Sequence, residues 1–149
     1  MSVIHQLRSR AGIVRQRLNK KIWQVVPVLL ERMMANTRSA ITTHILDVNL
    51  GRPAANVQVT LFRLEGDEYV QVAQDKTNDD GRIVDWMGDA ERQAGIYRVT
   101  FDTDGYFNQL GQECLYPSVT IDFRLTAPDE HYHIPLLVSA NGFSTYRGS

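Results

Sequence analysis

Two hydrophobic periods divide the chain. Over the first forty residues apolar positions recur at Ile4, Leu7, Ala11, Val14, Leu18, Ile22, Val25, Leu29 and Met33, with basic residues between them. Steps of three or four keep one face of a helix apolar, and they predict a helical extension bent or interrupted at Pro27. From Ile41 the period falls to two. Val57, Val59 and Leu61 alternate with Gln58, Thr60 and Phe62; Tyr97, Val99 and Phe101 alternate with Arg98, Thr100 and Asp102. Val119, Ile121, Phe123 and Leu125 do the same against Ser118, Thr120, Asp122 and Arg124. Successive side chains leave a strand on opposite faces, so each pattern is a half-buried strand.

Turn chemistry separates these runs: Gly51-Arg52-Pro53, Glu65-Gly66-Asp67, Asn78-Asp79-Asp80-Gly81, Asp104-Gly105 and Ala127-Pro128-Asp129. The resulting strands are expected near 41–48, 56–64, 69–75, 82–86, 95–102, 117–125, 131–138 and 143–147. A short helix is expected over 106–111 and a turn over 89–94. Seven to eight short strands with regular turns predict an all-β protein, an antiparallel β-sandwich. The chain thus reads as a basic extension, 1–40, and one globular domain, 41–149.

Charge sharpens that division. The overall balance is −1, but residues 1–40 carry eight basic side chains against Glu31 alone, a net of +7. The remainder holds eight basic and sixteen acidic residues, a net of −8. An acidic domain is a poor partner for nucleic acid, whose binding rests on neutralised phosphates. No stretch approaches the roughly 20 apolar residues that span a bilayer, so stable membrane insertion is not expected. The single Cys114 excludes an intramolecular disulfide and fits a reducing compartment. Three readings of the extension stay open: a weakly ordered segment, with Met33 or Met34 as the native start; an arginine-rich targeting peptide; and a membrane-surface helix.

Residues able to do chemistry are scattered. His44 lies in the first strand on the Thr42/Leu46 side, and taken alone is a satisfied, partly buried imidazole. Arg82 follows the Asp80-Gly81 turn, where a solvated arginine is ordinary. His133 precedes Ile134-Pro135-Leu136-Leu137, with Tyr132 and Ile134 on the opposite face. The chain then runs through Phe143-Ser144-Thr145-Tyr146-Arg147-Gly148-Ser149, a composition that suggests a tucked tail rather than a frayed one.

His131-Tyr132-His133-Ile134-Pro135-Leu136-Leu137 and the ending Tyr146-Arg147-Gly148-Ser149 resemble the 5-hydroxyisourate hydrolases, the transthyretin-like enzymes of purine breakdown. Ile41-Thr42-Thr43-His44-Ile45-Leu46-Asp47, Gly51-Arg52-Pro53-Ala54 and Thr77-Asn78-Asp79-Asp80-Gly81-Arg82 extend the resemblance over the whole domain. It implies a transthyretin-like sandwich assembled as a homotetramer, two dimers meeting face to face, with active sites in the cleft between them. It also implies His44, Arg82, His133 and Ser149 as catalytic residues, and His44, Arg82, Tyr146, Gly148 and Ser149 as substrate-binding ones. No metal and no cofactor are expected. The implied reaction opens 5-hydroxyisourate to 2-oxo-4-hydroxy-4-carboxy-5-ureidoimidazoline in urate degradation. A cytoplasmic setting is expected. The peroxisomal alternative rests on Arg17-Leu18 and Gln24-Val25, which resemble an N-terminal peroxisomal signal except at the final position.

The residue types suit that chemistry. Histidine can take a proton from water near neutral pH, and an arginine offers a planar fork of donors that keeps its charge. Two rival readings belong beside this one. His131 and His133 project from one strand face, so with His44 they could hold zinc. A carrier on the same fold is the second rival, although a carrier channel favours apolar or hydroxyl side chains where this chain has imidazoles and a guanidinium.

Overall fold

The computed structural model describes residues 39–88 and 92–149, which fall within one compact unit, Arg38–Ser149. The amphipathic periodicity, the addressing pattern and the Met33/Met34 start therefore lie outside the described residues, as does half of the turn expected over 89–94.

Among the described residues, nine strands and one helix build the unit: β1 (Ile41–Asp47), β2 (Arg52–Pro53), β3 (Gln58–Glu65), β4 (Glu68–Lys76), β5 (Arg82–Ile83), β6 (Gly95–Phe101), α1 (Thr103–Gln109), β7 (Val119–Leu125), β8 (Tyr132–Ser139) and β9 (Gly142–Thr145). They form two sheets. One runs β2-β1-β8-β9 with β5 also paired to β1; the other runs β4-β3-β6-β7. The sandwich core is what the alternation requires. Val59, Leu61, Tyr97, Val99, Phe101, Val119 and Leu125 meet Ile41, Ile45, Ile134, Leu136 and Val138, all of them buried. Each such side chain taken from water contributes about 1.5–3 kcal/mol. Tyr97 and Phe123, paired across β6 and β7, stack with ring centroids 5.9 Å apart.

Three features depart from the sequence expectation. β2 forms where the sequence reads as a turn, because Leu46 and Asp47 find partners in Pro53 and Arg52. The helix begins at Thr103 rather than Tyr106: the Asp102 carboxylate accepts from the Gly105 N–H at 2.9 Å and caps the first turn. Asp104-Gly105, read as a turn, therefore lies in the first turn of this helix. Lastly, β1 and β8 are parallel, whereas all the other pairings among described strands are antiparallel. The intervening chain passes through the second sheet, so no hairpin fixes their relative direction.

The free edge of β1 is closed by two short pieces that meet at Ile45. Its N–H donates to the Gly81 carbonyl at 2.8 Å, and its carbonyl accepts from the Ala54 N–H at 3.0 Å. Gly81 has φ +71°, and a Cβ there would run into the Ile45 carbonyl oxygen. Only glycine meets both conditions, and the arginine of β5 follows directly. On the core side, the Asp47 carboxylate accepts from the N–H groups of Asn49 and Leu50 and, at 3.0 Å, from the Tyr106 hydroxyl. Burial, reinforced by that carboxylate, pushes the Tyr106 phenol up to about 12, so it stays a donor and ties α1 to β1.

Candidate active site

Register collects the scattered residues onto one surface. In the parallel pair Thr42 stands opposite His133, His44 opposite Pro135 and Leu46 opposite Leu137. On the other side of β1, His44 is paired with Arg82. Partners in register point to the same face, so Arg82, His44, Thr42 and His133 share the outer face of the sheet, away from the core. Strand spacing and rise separate the His44 and His133 positions by roughly 8 Å.

The tail joins this face. Thr145 Oγ1 donates to the Pro135 carbonyl at 2.8 Å, and the Gly148 N–H donates to the His133 carbonyl at 2.9 Å in an isolated antiparallel bridge. Arg147 reaches back to Glu130 at 2.9 Å, its guanidinium 5.0 Å from the Tyr132 ring centre. Both partners of this ion pair are largely exposed, so it contributes little to stability and serves mainly to orient the tail. Gly148 packs directly on the His133 ring: a Cβ there would collide with Cδ2. Its expected substrate-binding position is thus also the seat of the imidazole. Ser149 follows it and is exposed, and Tyr146 is 57 % exposed.

Each histidine has a distinct environment. Burial holds the His44 imidazole below its ordinary pKa, and the nearby Arg82 charge pushes the same way. The Asp80 carbonyl and carboxylate oppose this without reversing it. His44 is accordingly neutral near pH 7, the form that accepts a proton. His133 Nδ1 lies 2.8 Å from the Thr42 hydroxyl, and His131 Nε2 lies 2.9 Å from the same oxygen. The two rings are near-parallel, with centroids 6.3 Å apart and 20° between planes. Thr42 is fully buried, so this junction is sealed from the core side.

His131, His133 and His44 do not gather into a metal-binding group: among the described residues no three His, Cys, Asp or Glu side chains do so. Cys114 is partly buried against the core, with its thiol pushed up by desolvation and by Asp104, and it stands apart from this face. Sequence reasoning missed Thr42 as a junction and Gly148 as a packing partner. The signal for Thr42 was its i−2 spacing from His44, which places both on one face. Its opposition to His133 depends on a register between segments 91 residues apart, which no local pattern carries.

Residues 41–148 match the model of the HIUase/Transthyretin family. The chain belongs to that family. Within it the chain stands with the hydrolases. It is 37% identical over 118 residues to the 5-hydroxyisourate hydrolase of Mus musculus, covering 78% of this chain and 100% of the relative. The structure of Klebsiella pneumoniae 5-hydroxyisourate hydrolase superposes with a TM-score of 0.64 at 39% identity, covering 73% of this chain and 97% of that one. Transthyretin from Sparus aurata shares the fold with a TM-score of 0.70 at 28% identity, covering 74% of this chain and 97% of its own.

Proposed function

We propose that the protein hydrolyses 5-hydroxyisourate to 2-oxo-4-hydroxy-4-carboxy-5-ureidoimidazoline in urate degradation. The observation that carries this reading is the shared outer face of β5, β1 and β8, where a neutral histidine, a fixed cation and a second, hydrogen-bonded histidine stand together. Relatives named for this hydrolysis give the substrate class. Water activated by the His44/His133 pair adds to the ring carbonyl, and the C–N bond breaks with the proton returned to the leaving nitrogen. Arg82 pairs with the developing oxyanion, a contribution of about 3–4 kcal/mol per donor in other enzymes. Tyr146 and Ser149 border the pocket, the serine hydroxyl as a hydrogen-bond partner for substrate or water rather than a nucleophile. The test is the absorbance decay of freshly generated 5-hydroxyisourate with and without protein. Acceleration at catalytic protein concentration is the expected result; an unchanged decay sinks the reading. Alanine at His44, Arg82 or His133 should slow turnover by about 10²–10⁴-fold, and near-normal rates in any two of the three would refute the assignment.

The assembly reading is a homotetramer, two dimers meeting through this same outer face. Tyr146, exposed by 57 %, is apolar surface that such contact would cover. Light scattering should then give four times the 17.0 kDa chain mass. No helix among the described residues is long and apolar enough to cross a membrane. A cytoplasmic site of action fits the lone cysteine, and fluorescent tagging of the whole chain against residues 39–149 would reveal any addressing by the extension.

A further inference from the structure

We propose that Thr42 and His131 form a proton-shuttling relay behind His133, setting which nitrogen of that ring carries its proton at each stage of the reaction. The inference rests on His133 being a working base, as argued above, and it assigns positioning roles to two residues outside that group. The Thr42 hydroxyl has a single proton, yet it lies within hydrogen-bond distance of Nδ1 of His133 at 2.8 Å and Nε2 of His131 at 2.9 Å. One hydroxyl cannot donate to both rings, and among the described residues these two nitrogens are the partners Thr42 Oγ1 has, so its proton goes to one ring nitrogen while the other carries a proton and donates to it. The tautomers of the two histidines are therefore locked together through Thr42 Oγ1.

Two arrangements result. When Thr42 donates to His131, His133 holds its proton on Nδ1 and exposes a lone pair on Nε2: it is a base. When His131 donates to Thr42, Thr42 donates to His133 Nδ1, and the His133 proton sits on Nε2: it is an acid. Hydrolysis needs the first and then the second. As the water oxygen bonds to the carbonyl carbon, its proton passes to His133 Nε2. The Nδ1 proton moves to Thr42 Oγ1, and the Thr42 proton moves to His131 Nε2. The positive charge accompanying the new oxyanion comes to rest on His131, one residue layer from the reacting atoms. When the C–N bond breaks the three transfers reverse, delivering the His133 Nε2 proton to the leaving nitrogen. Full burial of Thr42 keeps bulk water from short-circuiting the chain, and Gly148 against the His133 ring holds the imidazole in line. The charged groups framing the junction are the mutually paired Glu130 and Arg147 on the approach to β8 and the tail, and His44 with Arg82 across β1.

Thr42→Val, which keeps shape and removes the hydroxyl, should lower kcat roughly ten- to hundred-fold, the scale for losing a partner behind a working imidazole. KM should move little, and Thr42→Ser should recover most of the loss. His131→Phe should cause a similar fall in kcat with the threonine intact. The ¹⁵N shifts of His133 in the unliganded protein give a readout independent of turnover. In the wild type, titrating His131 should shift the His133 Nδ1 resonance, and in Thr42→Val that response should vanish. Unaltered kcat in Thr42→Val, or a His133 Nδ1 resonance indifferent to His131, would overturn the relay. Intact coupling in a protein inactive on 5-hydroxyisourate would instead overturn the functional reading and leave the junction standing.

Discussion

His44 shows how little of a residue's chemistry is its own. The imidazole sits below its ordinary pKa because burial penalises the cation and Arg82 repels it. Removing the like charge with Arg82→Gln should raise the His44 pKa part of the way back, since desolvation, the larger cause, remains. Histidine Cε1 proton shifts followed against pH would record that, and an unchanged or lower value would contradict it. The sign for stability follows. A histidine depressed in the folded state binds its proton better when unfolded, so its contribution is intact above about pH 6.5 and is lost as pH falls through the folded value. Gly148 supplies a second residue-scale expectation. Gly148→Ala drives a methyl group into the His133 ring, and a displacement near 1 Å costs about a hundred-fold in rate. Turnover should collapse while the melting temperature barely moves.

At the scale of elements, two short pieces govern where Arg82 stands. β2 and β5 meet at Ile45 only because Gly81 accepts a left-handed backbone against a carbonyl oxygen. Gly81→Ala should cost at least about 2 kcal/mol in chemical denaturation, from φ strain and the clash together. It should also depress activity, because the arginine that follows is carried on the same turn. The loop into β8 is pinned differently. The Tyr132 hydroxyl accepts from the N–H groups of Thr126 and Ala127, each at 3.1 Å. Tyr132→Phe leaves both amides without that acceptor, an expected loss of about 1–3 kcal/mol. These pieces also mark where the sequence was readable. Strands β1, β3, β6 and β7 announced themselves through alternation against a buried face. β2, two residues long, carries no period at all, and the start of α1 depended on a cap hidden in Asp102-Thr103-Asp104-Gly105, a string with the look of a turn.

For the whole molecule, residue types named the chemistry but not the meeting place. His44, Arg82 and His133 could be picked from the chain by resemblance, whereas their common face follows from pairings of β1 with β5 on one side and β8 on the other. His131 was legible only as a candidate metal ligand and Thr42 only as a neighbour of His44, because their shared junction exists once the parallel register sets both histidines around the Thr42 hydroxyl.

That parallel pair has a kinetic corollary. Tyr132–Ser139 can zip onto Ile41–Asp47 only after the chain between them has been laid down, so the largest loop-closure cost in the domain falls on this one seam. A refolding chain will not gain activity piecemeal: hairpins of the opposite sheet can form early, and the competent surface appears with the final closure. Return of catalysis after dilution from denaturant should therefore lag the fluorescence change of Tyr97 and its neighbours and coincide with amide protection along β1.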